Sequence, residues 1–324
     1  MIERHFGQSV HDRAPGRFRR PKAPLLRLRT AALAAGAIFA LSAALSSCYF
    51  SFTDLFAEAA AVTSRVKDSQ SMAVPQGQPS SSSLSATQPF SFLFVGDPHF
   101  GASFAASGTV LNNFAALAAS ADPVSGKPYA FVLFAGDDAN DGAESEYQAF
   151  SGWASTFKDS NAKHLQWYSA VGNHDLYNGG WTNFKKYVGP SFYKLAAGAF
   201  SIYFVDSGQG TLGNYQIDAL RSAFASDPNP KIVVSHYPIY GGASELYYYR
   251  LANPREVAEL LDLFGQYNVK LILAGHYHYY VHENVGGAFD EYLVDSLTVS
   301  AGGSHHCLAV TLNGDAASVA RPSF

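Results

Sequence analysis

The 324-residue chain has only two cysteines, Cys48 and Cys307. That excludes a disulfide framework, so stability must come chiefly from a packed core rather than from cross-links. Cys307 sits in the apolar run Cys307-Leu308-Ala309-Val310 and is expected to be buried rather than reactive. Charge is also scarce, at 15% of residues against 48% hydrophobic, which excludes wholesale disorder. What charge there is lies unevenly. Residues 1–30 carry eight Lys or Arg against Glu3 and Asp12, a balance of +6, and residues 31–47 carry none. The net −4 of the whole chain therefore leaves −10 from Cys48 onward. A domain that acidic is not expected to grip a nucleic-acid backbone. No internal repeat is visible.

The basic start, the apolar stretch Ala31–Leu45 and the small residues after it read as a secretory signal over 1–47. The apolar stretch is short and Ala-rich for a spanning helix. Leu45-Ser46-Ser47-Cys48 resembles the lipobox of bacterial lipoproteins, which would make Cys48 the lipidated first residue of the mature chain. An uncleaved N-terminal anchor is the alternative, and either places the protein outside the cytoplasm on a membrane. Arg19-Arg20 hints at twin-arginine export, although Pro21 fits that signal poorly. Residues 49–70 are compatible with a short amphipathic helix. Residues 71–89, rich in Ser, Gln and Pro, read as flexible, so 48–89 is expected to be a tethering linker and 90–324 the folded domain.

From Phe90 apolar runs alternate with helical patterns. Strands are expected at 92–95, 130–134, 165–171, 232–234 and 271–273, with a hairpin over 192–206 turning at Ala197-Gly198. Helices are expected over 107–120, 144–158, 216–224 and 255–267, the last opened by Pro254. The tail, 292–320, alternates like closing antiparallel strands. The strands are apolar throughout, which predicts sheets covered by helices, an α/β fold.

The chemistry-bearing residues stand at the ends of those strands, where open α/β sheets build sites. In order they are Gly-Asp-Pro-His (Asp97, His99), Gly-Asp-Asp (Asp137), Gly-Asn-His-Asp (Asn173, His174, Asp175), Ser-His-Tyr-Pro (His236) and Gly-His-Tyr-His (His276, His278). Asp97 and His99 stand two apart, as do His276 and His278, so in extended backbone each pair points one way. A carboxylate such as Asp137 can bridge two cations. A histidine beside a carboxylate, like His174 beside Asp175, suits a general acid. Each block alone has an ordinary explanation in turns, caps or core histidines. Nine histidines follow Cys48, and five of them fall in these blocks. Coincidence at five successive strand ends is the weaker account. Mixed carboxylate, amide and imidazole donors suit a pair of ions such as Mn, Fe or Zn, and two metals together suit phosphate-ester hydrolysis.

Residues 90–310 resemble the calcineurin-like metallophosphoesterase family, whose motifs appear in the same order. The resemblance implies two packed mixed β-sheets flanked by helices in a four-layer sandwich. It implies one metal held by Asp97, His99, Asp137 and His278, and a second by Asp137, Asn173, His236 and His276. It makes His174 the substrate-facing histidine, supported by Asp175. Ser300-Ala301-Gly302-Gly303 is similar to a late loop of the family. One departure stands out: where such chains often carry a second Asp three residues after the bridging one, this chain has Asn140, followed by Asp141. Purple acid phosphatases place a tyrosine there and lack the first histidine, so with Asn140 and His99 the iron-tyrosinate variant is not expected.

Tyrosines 240, 247, 248, 249, 277, 279 and 280 lie near the last two blocks, and Tyr240 and Tyr277 are candidates for an aromatic rim on the substrate. Half-burial at strand ends is the plainer account of them. His305, beside His306, is a candidate site-lining residue. Arg250 and Arg255 are either phosphate contacts or surface charges. The expected activity is a phosphomonoesterase on a small phosphorylated substrate, in a monomer. The alternatives are a phosphodiesterase on nucleotides or glycerophosphodiesters, and a surface lipoprotein that binds a partner without catalysis.

Overall fold

A strand that is apolar on both faces needs a covering layer on each. In β1 (Phe90–Val95) all six residues are buried, and alternate side chains enter different cores. Phe90, Phe92 and Phe94 face a core shared with a second sheet, while Leu93 and Val95 face a core shared with helices. The computed structural model describes residues 52–79, 84, 86–242, 249–300 and 302–324. The signal segment 1–47, its Arg19-Arg20 pair, Cys48, Tyr247, Tyr248 and Ala301 lie outside the described residues. The chain divides into two units, Met1–Leu55 and Phe56–Phe324, and all packing below lies within the second.

The first sheet joins β1 to β2 (Phe131–Phe134), β3 (Gln166–Ser169), β10 (Leu308–Asn313) and β11 (Ala316–Ala320), in the order β11-β10-β1-β2-β3. β1, β2 and β3 run parallel, and β10 and β11 close the edge antiparallel. The second sheet takes β4 (Tyr193–Ala197), β5 (Phe200–Phe204), β6 (Lys231–Val234), β7 (Val269–Ala274), β8 (Val281–Val285) and β9 (Phe289–Leu293), in the order β4-β5-β6-β7-β9-β8. Between the sheets pack Phe92, Phe94 and Leu133 from one side and Ile202, Val234 and Leu273 from the other. The first sheet's outer face is covered by α2 (Gly108–Ala118), α3 (Glu144–Ala154) and α4 (Trp181–Tyr187) through Phe114, Phe150 and Phe184. The second is covered by α5 (Gly213–Ala225) and α6 (Pro254–Gln266) through Leu220, Phe224, Leu260 and Phe264. Ser107 caps α2 and Asn253 caps α6, with Pro254 in its first turn. The architecture is the expected helix–sheet–sheet–helix sandwich.

Two elements depart from the sequence reading. The hairpin β8–β9 over 281–293 was not foreseen, because His282, Glu283 and Asn284 give β8 a half-exposed, polar pattern. Its inner strand instead buries Glu291, whose carboxylate accepts the amides of Ile239, Tyr240 and Gly241 at 2.7–3.1 Å. The second departure is upstream. Residues 60–79 are not a free linker but pack on the domain. In α1 (Phe52–Gln70), Val62, Arg65, Val66 and Ser69 form one buried face at helical spacing. Arg65 makes a two-pronged pair with Asp206 at 2.8 and 2.9 Å. The Ser- and Gln-rich stretch after it lacks apolar periodicity yet docks through amides. Gln78 accepts from Ala196 N at 2.9 Å and donates to Lys194 O at 3.0 Å, and so pairs the edge strand β4. Among the described residues no helix is long and apolar enough to cross a membrane.

Asp206 is fully buried, so Arg65→Met should lower unfolding free energy by about 3–5 kcal/mol in denaturant titration. Adding Asp206→Asn should recover part of that loss. A double variant no better than the single one would show that the ion pair is not what holds α1.

Candidate metal centre

Parallel strands deliver their following loops to one end of a sandwich. β1 leads to Asp97 and His99, β2 to Asp137, β3 to Asn173 and His174, β6 to His236, and β7 to His276 and His278. The backbone there is not extended. Asp97, His99, Asp137, His276 and His278 all have left-handed φ, between 48° and 68°. Alternation along an extended strand is therefore not what aims them, as the sequence reading held. Sharp left-handed turns do so, a conformation uncommon for residues with a Cβ. Gly172 gives the close approach: a Cβ there would fall 2.1 Å from Asp137 Oδ1.

The ligand atoms gather into two groups that share one residue. Asp97, His99, Asp137 and His278 form the first, Asp137, His236 and His276 the second, each with its donor atoms within 4.8 Å of one another. His99 Nε2 lies 3.2 Å from His278 Nε2 and 3.7 Å from Asp137 Oδ2. His236 Nε2 lies 3.5 Å from the same Asp137 oxygen, 3.2 Å from His276 Nδ1 and 3.0 Å from Asn173 Oδ1. Two nitrogens bound to one cation at ~2.0–2.1 Å in tetrahedral geometry would stand about 3.3 Å apart. The structure thus brings together all seven residues that the resemblance implied as ligands.

Neighbours fix how these groups point. His236 Nδ1–H donates to Ala135 O at 2.9 Å, which leaves Nε2 as the lone-pair nitrogen toward the site. Tyr177 Oη accepts from Asn173 Nδ2 at 3.2 Å, so the amide oxygen faces His236. His174 N donates to Asp137 Oδ1 at 2.9 Å, and its ring Nδ1–H donates to Asn140 O at 2.7 Å. Asp175 does not orient the His174 ring, contrary to the sequence reading. Its carboxylate turns inward in the 3-10 turn His174–Gly179 and accepts from Ala139 N, Gly172 N and Tyr147 Oη at 2.9–3.0 Å. It ties the loops after β2 and β3 together, and the orienting group for His174 is the Asn140 carbonyl. Sequence reasoning also missed Ser296. Its hydroxyl donates to Asp97 O at 2.8 Å and its amide to His278 O at 3.1 Å, joining two ligand loops. No motif marks it, since a serine after a strand is ordinary. Asp138, the second Asp of its block, is fully buried.

Burial dominates the electrostatics. It holds His99 and His276 at about 3, and His236 and His278 below the usual imidazole range; at His99 and His276 neighbouring imidazoles add to the effect. Burial lifts Asp97 to about 7 and Asp175 to about 6. It lifts Asp137 and Asp138 as well, aided by the carboxylates around them. Asp97 Oδ2 is buried with no hydrogen-bond partner. Neutral imidazoles, an orphan carboxylate oxygen and a shared aspartate fit two cations.

The proposed rim is partly assembled. Tyr277 packs edge-on to Tyr249 at 4.9 Å, and Tyr249 lies 6.1 Å from His276. Tyr237 stacks on His276 at 3.9 Å. Tyr240 instead accepts Arg250 on its carbonyl and lays its ring over Gly242. His305 is drawn to the chain end, where its carbonyl accepts Phe324 N and its ring meets Phe324 at 6.1 Å. The bridge between His306 and Ser323 holds it there rather than in the ligand groups.

Since the imidazoles are already neutral, metal uptake at pH 6 should release protons from the carboxylates. Calorimetric titration in buffers of different protonation enthalpy should show net release of about one proton or more per chain, with affinity rising from pH 5 to 7 as Asp97 ionises. Release should shrink in Asp97→Asn. Enthalpies independent of the buffer would contradict this account.

Residues 90–280, more than half of the chain, match the calcineurin-like phosphoesterase family. No curated protein sequence matches. Among solved structures the fold is similar to a dimetal phosphatase from Danio rerio, with TM-score 0.56 and 12% identity over 72% of this chain and 96% of that one. It is similar to a purple acid phosphatase from yellow lupin (Lupinus luteus) seeds, with TM-score 0.54 and 14% identity over 73% of this chain and 52% of that one. It is also similar to GAP50, the anchor in the inner membrane complex of Plasmodium, with TM-score 0.52 and 16% identity over 73% and 85%. Those identities speak for the fold, and the family match speaks for the chemistry: the chain belongs to the calcineurin-like phosphoesterase family and is a metal-dependent hydrolase of phosphate esters.

Proposed function

We propose that this chain is a phosphomonoesterase with a dinuclear metal site, working outside the cytoplasm on a small phosphorylated substrate while tethered through Cys48. The observation that carries the catalytic part is the pair of ligand groups sharing Asp137, with His174 fastened beside them. Asp97, His99, Asp137 and His278 would hold one ion, and Asp137, Asn173, His236 and His276 the other. Bound there, two cations supply charge neutralisation of phosphoryl oxygens and acidification of water. The chain's own contribution is placement. The Asn140 carbonyl accepts the Nδ1–H of His174, so Nε2 is the nitrogen left for the leaving oxygen, and it donates or transfers a proton there from the imidazolium form, in which both ring nitrogens carry one. The His174 amide on Asp137 keeps that ring at a fixed distance from the shared ligand. The complete ligand set argues against a binding protein that has lost catalysis. The extracytoplasmic part rests on the basic start, apolar stretch and Leu45-Ser46-Ser47-Cys48 of the sequence.

His174→Ala should lower kcat by about 10²–10⁴-fold with metal content unchanged by elemental analysis. Loss of both metals in that variant would refute its role.

The metal-loaded protein should hydrolyse p-nitrophenyl phosphate well ahead of bis-p-nitrophenyl phosphate; the reverse order would make it a diesterase. In cells, Cys48→Ser should abolish palmitate labelling and release the protein from the membrane fraction. An unlabelled parent protein would end the lipoprotein reading.

A further inference from the structure

Exposed aromatic rings gather beside the site's histidines. Among the described residues, the large hydrophobic side chains that remain exposed are Phe104, Val124, Tyr177, Tyr215, Tyr249, Tyr279 and Tyr280. Single exposed hydrophobics are normal, but five of these seven lie on the loops that carry the site's histidines or touch those histidines. Two flank His174. Phe104, 54% exposed, lies 5.3 Å from the His99 ring, which is itself edge-on to His174 at 4.7 Å. Tyr177, 45% exposed, lies 4.7 Å from the His174 ring. Two arginines near these rings are engaged: Arg321 pairs with Asp295 at 2.8 Å and covers Tyr280, and Arg250 reaches the Tyr240 carbonyl. Among the described residues, the groups packed against His99, His174 and His276 on the exposed side are these rings.

We propose that the substrate is a phosphate monoester whose alcohol carries a planar ring, and that Phe104, with Tyr177, is the surface on which that ring stacks. The proposal rests on the phosphomonoesterase reading and on His174 serving the leaving oxygen. The leaving alcohol then departs on the side of His174, where Tyr177 touches the His174 ring and Phe104 touches the His99 ring that packs edge-on to it. Ring-on-ring stacking is tolerant of the ring's hydrogen-bonding pattern, so the surface selects for planarity rather than for one base or aryl group.

The test compares adenosine 5′-monophosphate with ribose 5-phosphate on the metal-loaded protein. Both release phosphate from the same primary hydroxyl, so the difference reports the ring alone. The wild type should favour the nucleotide by about tenfold in kcat/KM, mostly through KM. Phe104→Ala should reduce the preference to about twofold or less, and Phe104→Tyr should keep it. A wild-type ratio near one, with both compounds hydrolysed, overturns the proposal and leaves the phosphomonoesterase reading intact. So does a preference undiminished in Phe104→Ala. Failure to hydrolyse either compound or p-nitrophenyl phosphate overturns both readings. Phenyl phosphate separates the sources of the ring: a KM raised in Phe104→Ala as much as for the nucleotide puts a directly attached ring on the same surface, and an unmoved KM assigns the surface to rings carried on a spacer.

Discussion

Four carboxylates buried side by side set the terms for the rest of this molecule. Asp97, Asp137, Asp138 and Asp175 are all inaccessible; Asp97 and Asp137 meet imidazoles whose own charge is suppressed by burial, and Asp175 meets the neutral Tyr147 hydroxyl. Such an arrangement has no internal source of positive charge. Protons can neutralise it, which is the sense in which burial pushes the Asp97 and Asp137 carboxyls above the usual carboxylate range, and so can cations. The two carboxylates with different jobs are told apart by their partners. Asp175 is satisfied by three hydrogen-bond donors and braces the loops. Asp97 keeps one oxygen without a donor, as a ligand should.

Backbone conformation follows from the same demand. Five ligand positions are left-handed, which disfavours side chains bearing a Cβ and persists only where surroundings enforce it. Here the enforcing contacts can be named. Asp97 is held by Ser296 on its carbonyl and by His276 N on its carboxylate, and the His278 carbonyl by Ser296 N. The parallel strands behind them are packed on both faces, so the loops depart from a stiff platform.

The layout of the domain was legible because the strands that lead to the site are short, mostly apolar and followed by Asp, Asn or His. The candidate ligands were legible because they follow those strands in a fixed order. Their division into two groups around Asp137 was not readable from spacing and came from the family resemblance; His276 and His278, two residues apart, fall in different groups. Adjacency misled at Asp175, since in a 3-10 turn successive side chains diverge. Composition misled upstream of Phe90, where Gln78 docks by side-chain amide rather than by apolar surface. Ser296 acts through backbone carbonyls of distant loops, and no local pattern encodes that.

The docked α1 changes what counts as the functional unit. The matched family region begins at residue 90, and every candidate ligand lies within it. Yet Arg65 lies before it, on Asp206 at the end of β5. The next residue, Ser207, takes the amides of His236 and Tyr237 on its hydroxyl oxygen at 3.0 and 3.1 Å, with the Ser235 hydroxyl donating to the same atom. One connected path therefore runs from α1 to a second-group ligand and to the tyrosine stacked on His276. Removing Arg65 would leave a buried, uncompensated charge one residue from that support. A chain cut at the family boundary would keep all of its ligands and lose the brace behind His236, so the upstream helix belongs with the site it supports.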